Sequence, residues 1–227
     1  MKNVSRQPKP IDLIDNAELW TAELMDAVEV YRNTGKSVPP NLQERYRKTS
    51  IKDALKHMYS DQEDNNFCCY CENEIDIVDY PHIEHRKPKA PDFFPESTYE
   101  WENLHLACTK CNTKKSNQWN NDSQILDAVN DVPVSQHLIY RNEVNGVYRF
   151  GLTDRGNTTI DHTDLNRKKL LKARQKIYLD ILNAIKEIVR LKNDPRVKTC
   201  KDILRNKAKG QFGSLIQWSM DEWGITD

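Results

Sequence analysis

The sequence predicts an α+β chain: a small metal-stapled core near its middle, flanked by mostly helical N- and C-terminal arms and one β-hairpin. Three observations carry this. Two Cys-x-x-Cys pairs, Cys68/Cys71 and Cys108/Cys111, bracket a stretch with short β-branched runs. On either side of it, apolar residues recur at three- and four-residue steps, the period of an amphipathic helix. An Asn-Gly dipeptide at 145–146 lies next to a strand-like run. The expected organisation is an N-terminal helical arm over 1–60, a core over 61–122, and a hairpin plus long-helix arm over 123–227.

Composition narrows the field. A chain of 227 residues holds one good-sized domain, or a small core with helical extensions. With 30% charged and 37% hydrophobic residues, one dense core spanning the whole chain is not expected. Seven glycines are too few for a turn-dense β-sandwich. Net charge is zero, but its distribution is uneven: 165–210 is rich in Lys and Arg, while 11–32 carries six acidic side chains from Asp12 to Glu29 against Arg32. Such asymmetry points to a polyanion site on one side; the other reading is two solvated helix faces that attract each other. No apolar segment follows the polar residues 1–10, and no window is as long and apolar as a membrane span, so a cytoplasmic protein is expected. In that reducing setting six cysteines indicate metal binding or reactivity rather than disulfides.

The elements follow in order. Residues 11–33 read as a helix with Leu13, Ile14, Ala17, Trp20, Leu24, Ala27, Val28 and Tyr31 in one stripe, stopped by Asn33-Thr34-Gly35 and Pro39-Pro40. Residues 41–59 read as a second helical segment carrying Leu42, Tyr46, Ile51, Leu55 and Met58. Residues 75–80 and 82–85 have strand-like content with Pro81 between them, and Pro88, Pro91 and Pro95 impose a loop. A short helix is expected from Asn112, with Lys114 and Lys115 in its first turns, and another over 123–129. Asn145-Gly146 supplies the positive φ of a type I′ turn. Asp161 to Asp164 offer N-caps for a long helix striped by Leu165, Leu170, Leu171, Ile177, Tyr178, Ile181, Leu182, Ile185, Ile188 and Val189, ending at Asn193-Asp194-Pro195. Phe212, Leu215, Ile216, Trp218, Met220 and Trp223 mark a short docking helix in the tail. The arms, 11–59 and 165–223, are expected to bury their stripes against each other or against a partner.

Each Cys-x-x-Cys pair can chelate one ion from a tight turn, and four thiolates complete a closed tetrahedral zinc site. Cys68, Cys71, Cys108 and Cys111 are therefore the structural zinc candidates, with reduced core cysteines or a redox pair as the alternative. Cys69 and Cys200 are read as incidental. The residues between the pairs, 72–107, leave room for something useful to be inserted.

That insertion contains His-Ile-Glu-His-Arg-Lys-Pro-Lys at 82–89 and Trp-Glu-Asn-Leu at 101–104, and the second pair continues as Cys-Thr-Lys-Cys-Asn-Thr-Lys-Lys at 108–115. In this order the motifs resemble an HNH (ββα-metal) endonuclease with a zinc staple. More narrowly they are similar to the HNH subunits called PtuB, of Septu-type anti-phage defence systems, some of them retron-associated. The flanks, including Asp-Leu-Asn-Arg at 164–167, resemble that group less specifically. The resemblance implies a ββα-metal core, phosphodiester hydrolysis on DNA or a structured RNA such as tRNA, and an ABC-type, PtuA-like ATPase partner in a hetero-oligomeric complex. In retron-associated systems it also implies a reverse transcriptase with its non-coding RNA/DNA. The chain has no Gly-x-x-x-x-Gly-Lys-Ser/Thr of its own.

Phosphodiester cleavage needs an activated water, charge stabilisation and help for the leaving oxygen. His85 is the candidate base, since imidazole titrates near neutral pH. The resemblance makes Glu84 and Asn112 ligands of a catalytic Mg²⁺ or Mn²⁺, with the zinc knuckle orienting Asn112, and it places Asn103 on the backbone of the His85 loop. The family's last His is Asn112 here and its acid is Glu84, one methylene longer than Asp, which leaves the metal preference open. His82 is a further ligand, a leaving-group imidazole, or simply structural. Arg86, Lys87, Lys89, Lys110, Lys114 and Lys115 are candidate phosphate contacts, or else a solvated rim. Trp101 and Trp119 are expected in the core. Two non-catalytic alternatives stand beside the nuclease: a zinc-ribbon nucleic-acid-binding or adaptor protein, and an assembly subunit that works through its arms.

Overall fold

A computed structural model describes residues 1–75, 80–131, 133–191 and 194–225. Helix α1 (Ile11–Thr34) buries Leu13, Trp20, Leu24 and Val28 along one stripe, and each such burial contributes about 1.5–3 kcal/mol. Ile14 departs from the expected stripe. One residue on from Leu13 it lies about 100° further round the helix, and it is 60% exposed. Gly35 ends α1 at φ +72°, donating its N–H to the Tyr31 carbonyl at 2.8 Å, a conformation that costs a residue with a Cβ. The segment expected as one helix over 41–59 is broken into α2 (Pro40–Gln43), a 3₁₀ turn at Arg45–Arg47, and α3 (Thr49–Met58). The extended Lys48 makes the break. Tyr46 thereby turns inward and is buried.

The middle of the chain supplies a two-stranded antiparallel sheet and a short helix. Strand β1 (His82–His85) pairs with β2 (Leu104–Ala107), with His82 opposite Ala107 and Glu84 opposite His105. Helix α4 (Thr109–Lys115) follows β2 directly. It begins three residues before the expected Asn112, so Lys114 and Lys115 close it rather than open it. The Pro-rich loop between the strands makes 3₁₀ turns at Pro95–Ser97 and Trp101–Asn103. Residues 76–79, most of the other expected strand, lie outside the described residues.

Residues 123–129 form no helix. Asp127 Oδ1 accepts the Val129 N–H at 2.8 Å, Thr159 Oγ1 accepts that of Leu126 at 2.9 Å, and Arg155 and Arg86 bond the carbonyls of Gln124 and Ile125. Side chains thus satisfy the backbone that a helix would have satisfied itself. Strands β3 (Leu138–Glu143) and β4 (Gly146–Gly151) form the hairpin, one residue out of the expected frame. Glu143 pairs with Gly146, so Val144 and Asn145 make the turn and neither has positive φ. Gly146 instead holds φ +140°, and a Cβ there would meet Leu171 Cβ at 2.9 Å.

Helix α5 (Asp154–Thr163), N-capped by Thr153, has no counterpart in the sequence reading. Asp161 lies in its last turn and Asp164 ends it, so these acids do not cap the long helix. That helix, α6 (Lys168–Leu191), buries Leu170, Leu171, Ile181, Ile185 and Ile188 and exposes Val189. Asn193 of its expected stop lies outside the described residues. Helix α7 (Arg196–Lys207), also unforeseen, and α8 (Gly213–Glu222), the expected tail helix, pack on α6 around Leu204, Ile216 and Met220.

The arms pack on the core more than on each other. One apolar cluster runs from Leu13 and Ile51 through Tyr70, Trp101 and Leu106 to Leu138, Val147 and Leu165. The main neighbours of α1 are the Pro95–Ser97 turn, α2 and α3, and those of α6 are β4, α7 and α8. The extended start of the chain straps the sheet: Arg6 donates to the carbonyls of Leu104 and Glu102 at 2.7 and 2.9 Å, and Trp101 Nε1 donates to Gln7 at 2.8 Å.

Glu72 joins the first knuckle to the C-terminal arm. It sits at φ +59° and is 1% exposed. It accepts from Arg149 Nη2 at 2.7 Å, from the Ser214 N–H at 2.8 Å and from the Met1 amino group. Burial alone would raise its pKa, but the Met1 amino group and Arg149 hold it well below the usual carboxylate range. Glu72→Gln strands the buried Arg149 and should lower stability by about 3–5 kcal/mol, read from the midpoint of chemical denaturation. Because the folded pKa is depressed, the wild-type advantage should be full above about pH 4.3 and shrink as the pH falls below it.

Candidate active site

The sulfurs of Cys68, Cys71, Cys108 and Cys111 all lie within 4.8 Å of one another, and all four residues are buried. Cys71 Sγ and Cys108 Sγ are 3.8 Å apart. Zn–S bonds of about 2.3 Å in a tetrahedron space their sulfurs roughly 3.8 Å apart, so the four fit a zinc ion. Each knuckle is a turn: the Glu72 N–H bonds the Cys68 carbonyl and the Asn112 N–H that of Cys108, both at 3.0 Å. Cys69 stays out of the cluster, although its N–H bonds Leu106 of β2 at 2.8 Å. Cys200 is half-buried on α7, in the other apolar cluster.

Leaving the second knuckle as α4, the chain lays one face along β1. His82 and Glu84 share a side of the strand, since side chains alternate. His82 Nε2 is 3.1 Å from Thr109 Oγ1, and Glu84 Oε1 is 2.8 Å from Lys115 Nζ. Thr109, Asn112 and Lys115 are spaced three apart and form one row on the helix. Half-buried Asn112 is the middle of that row. An imidazole and a carboxylate on the strand thus meet a helix row that also carries an amide, donor types suited to a divalent cation.

Glu84 is 3% exposed, and Tyr70 donates to the same Oε1 at 3.1 Å. Oε2 is engaged by neither partner. Burial raises the Glu84 pKa, against the pull of Lys115 and Tyr70. Lys115 does not reach solvent as a phosphate contact would: it is 1% exposed and also donates to the His85 carbonyl at 2.7 Å.

His85 is 6% exposed and meets the Tyr46 ring edge-on, centroids 4.5 Å apart. Its Nε2 is 3.0 Å from the Thr98 carbonyl. A carbonyl only accepts, so Nε2 carries the proton and Nδ1 holds the lone pair. Burial, then the charge of Lys89, lowers the His85 pKa to about 3, so the ring is neutral at physiological pH. Asn103, also buried, clasps the loop after His85. Its Oδ1 accepts the Lys87 N–H at 2.7 Å, and its Nδ2 donates to the carbonyls of Lys87 and Ser97 at 3.1 and 3.0 Å. Ser97 precedes Thr98, so one amide spans both sides of the imidazole's hydrogen bond.

The remaining basic candidates divide. Arg86 is engaged inside the protein, 3.5 Å from Asp127 and bonded to the Ile125 carbonyl at 3.2 Å. Half-buried Lys87 and Lys89 lie over the rings of Phe94 and Tyr46. Lys110 and Lys114 are exposed on α4. Trp101 is buried, and Trp119 packs edge-on against Phe94. The sequence reading missed Tyr46, Tyr70, Thr98 and the inner role of Lys115. Only Tyr70, inside the first knuckle, carried a local signal.

This arrangement, two antiparallel strands and a helix behind a four-cysteine cluster, is matched by the family model described as HNH endonuclease, over residues 68–118. The chain carries an HNH endonuclease domain and is a nuclease of that type. It is also 27% identical over 212 residues to Septu protein PtuB of Bacillus mycoides (strain KBAB4), an alignment covering 80% of this chain and 68% of that one.

The clasp invites a test. Asn103→Ala should cost about 3 kcal/mol, three bonds at about 1 kcal/mol each. Asn103→Asp should do no better, because two of the three bonds are donated to carbonyls. Equilibrium unfolding of both variants checks this.

Proposed function

We propose that this chain is a metal-dependent endonuclease that hydrolyses phosphodiester bonds in nucleic acid, with DNA as the first candidate and a structured RNA such as tRNA as the second. We further propose that it is the effector subunit of an anti-phage defence complex with an ABC-type, PtuA-like ATPase. The observation that carries the catalytic part is the facing of His82 and Glu84 by the Thr109–Asn112–Lys115 row, with neutral His85 held at the end of the same strand. The likeness to Septu protein PtuB carries the defence role. A reverse transcriptase with its non-coding RNA/DNA belongs to the same proposal for retron-associated settings.

Glu84 and Asn112 would hold Mg²⁺ or Mn²⁺, with His82 as a further donor. When bound, such an ion supplies Lewis-acid stabilisation to the phosphate and the leaving oxygen. His85 Nδ1 accepts the proton of the attacking water, while Nε2–H stays on the Thr98 carbonyl and fixes the ring. Asn103 keeps that carbonyl in register. Lys115 tempers the charge of Glu84 and anchors the His85 backbone. Lys87, Lys89, Lys110 and Lys114 attract phosphates without reading sequence. His85 lies beneath Tyr46, so substrate reaches it once the 40–47 segment moves aside. The four cysteines hold zinc, which sets the start of α4 and with it Asn112.

The test is Mg²⁺- or Mn²⁺-dependent cleavage of parallel DNA and tRNA panels by the complex purified with its co-expressed partner. His85→Ala should slow cleavage by at least about 100-fold while zinc content stays at wild-type level. Unchanged cleavage in His85→Ala would remove the nuclease assignment from this site. In the same assay, Lys110→Ala with Lys114→Ala should weaken binding to all sequences alike and flatten its salt dependence by about one unit of slope per lysine.

A further inference from the structure

We propose that Arg167 caps the four-cysteine cluster, so that zinc retention and the docking of the C-terminal arm are one coupled property. This rests on the zinc reading above. Arg167 lies between α5 and α6. Its Nη1 is 3.5 Å from Cys111 Sγ, and its Nη2 is 3.7 Å from Cys71 Sγ and 3.9 Å from Cys108 Sγ. The guanidinium is also held from its own turn, where Nη1 donates to the carbonyls of Asp164 at 3.1 Å and Thr163 at 3.4 Å.

The turn is built to aim it. Asp164 takes the left-handed conformation at φ +49°, which swings the chain from α5 into α6. Leu165 is fully buried. Asn166 clamps β4 on both sides of Arg149, accepting its N–H at 2.8 Å and donating to its carbonyl at 2.9 Å. Arg167 is then delivered to the sulfurs. Residues 164–167, Asp-Leu-Asn-Arg, thus join hairpin, long helix and cluster in one turn.

The chemistry is that of a buried anion. Zinc bound by four thiolates carries a formal charge of −2 in a site closed to water. Arginine stays protonated and offers several N–H donors from a rigid fork. Donation to three sulfurs draws off thiolate charge, lowers their affinity for protons and holds the metal. By linkage, any gain in zinc affinity from the docked arm equals the gain in arm docking from bound zinc.

The experiment uses the full chain with its co-purified partner and compares wild type, Arg167→Gln, Arg167→Lys and Asn166→Ala. The readouts are metal content, zinc release to a chromogenic chelator, and the sulfur-to-cobalt charge-transfer absorption after Co²⁺ substitution. Arg167→Gln should release zinc at least about 10-fold faster and shift the absorption. Arg167→Lys, which keeps charge but loses the fork, should fall between and remains informative if the Gln variant does not fold. Asn166→Ala loosens the turn that aims Arg167 without touching sulfur and should release zinc faster than wild type but more slowly than Arg167→Gln. Release from both Arg167 variants within about twofold of wild type, or no acceleration by Asn166→Ala, would overturn the inference and leave the zinc site standing. Wild-type protein with no zinc would overturn both.

Discussion

Four sulfurs drawn within 4.8 Å of one another close the chain on itself between Cys71 and Cys108, and the geometry of the nuclease domain depends on that closure. Residues 82–107 make only two four-residue strands, too little sheet to hold itself together in water. A zinc ion held by the four cysteines would supply what the sheet lacks. The first knuckle is also tied to β2 through the Cys69 N–H, and the second sets the start of α4, since Cys108 is its N-cap and Cys111 lies on it. Asn112 follows Cys111 directly, so its place on α4 is inherited from the cluster.

The second constraint is electrostatic. Glu84 is buried, and an isolated carboxylate there would shift its pKa and lose its charge. Lys115 keeps a cation 2.8 Å away, and Tyr70 adds a hydrogen bond. A buried pair of this kind contributes little net stability, because desolvation offsets the attraction. Its effect is positional: the same ammonium holds the His85 carbonyl, so one lysine sets the relation between acid and imidazole. Asn103 does the matching work on the loop side with an uncharged amide.

Much of this was legible in the sequence where the chemistry is local. The cysteine spacing, the adjacent Glu-His pair, the α1 stripe and its Gly35 stop each depend on a few neighbouring residues. What could not be read depends on partners far along the chain. Helix α5, with Gly156 and three β-branched threonines in ten residues, has weak intrinsic propensity, and its position against β4 and α4 stabilises it. The 123–129 segment looks helical until Arg86, Arg155 and Thr159 arrive to bond its backbone. The hairpin frame slips because Gly146 must clear Leu171, a contact that Asn-Gly alone does not encode. Lys115 stands beside Lys114 in sequence, and nothing local distinguishes them.

Helix phase distinguishes them. On α4, Lys110 and Lys114 are four apart and share the outer face, where both are exposed, while Asn112 and Lys115 share the inner one. The same sorting applies across the region: Arg86 and Arg167 turn inward to a carboxylate and to cysteine sulfurs, and Lys87 and Lys89 rest half-buried on aromatic rings. The six cations that look like one basic patch in sequence therefore divide into two that bond inward, Arg86 and Lys115, and four that do not, Lys87, Lys89, Lys110 and Lys114. The inner two work in low dielectric, where each charge has a fixed partner and salt screens weakly. Lys110 and Lys114 lie in water, where any attraction to phosphate would be long-ranged, unspecific and open to screening. Ionic strength should then act on encounter with the substrate far more than on the integrity of the site, because the two sets of charges live in different media.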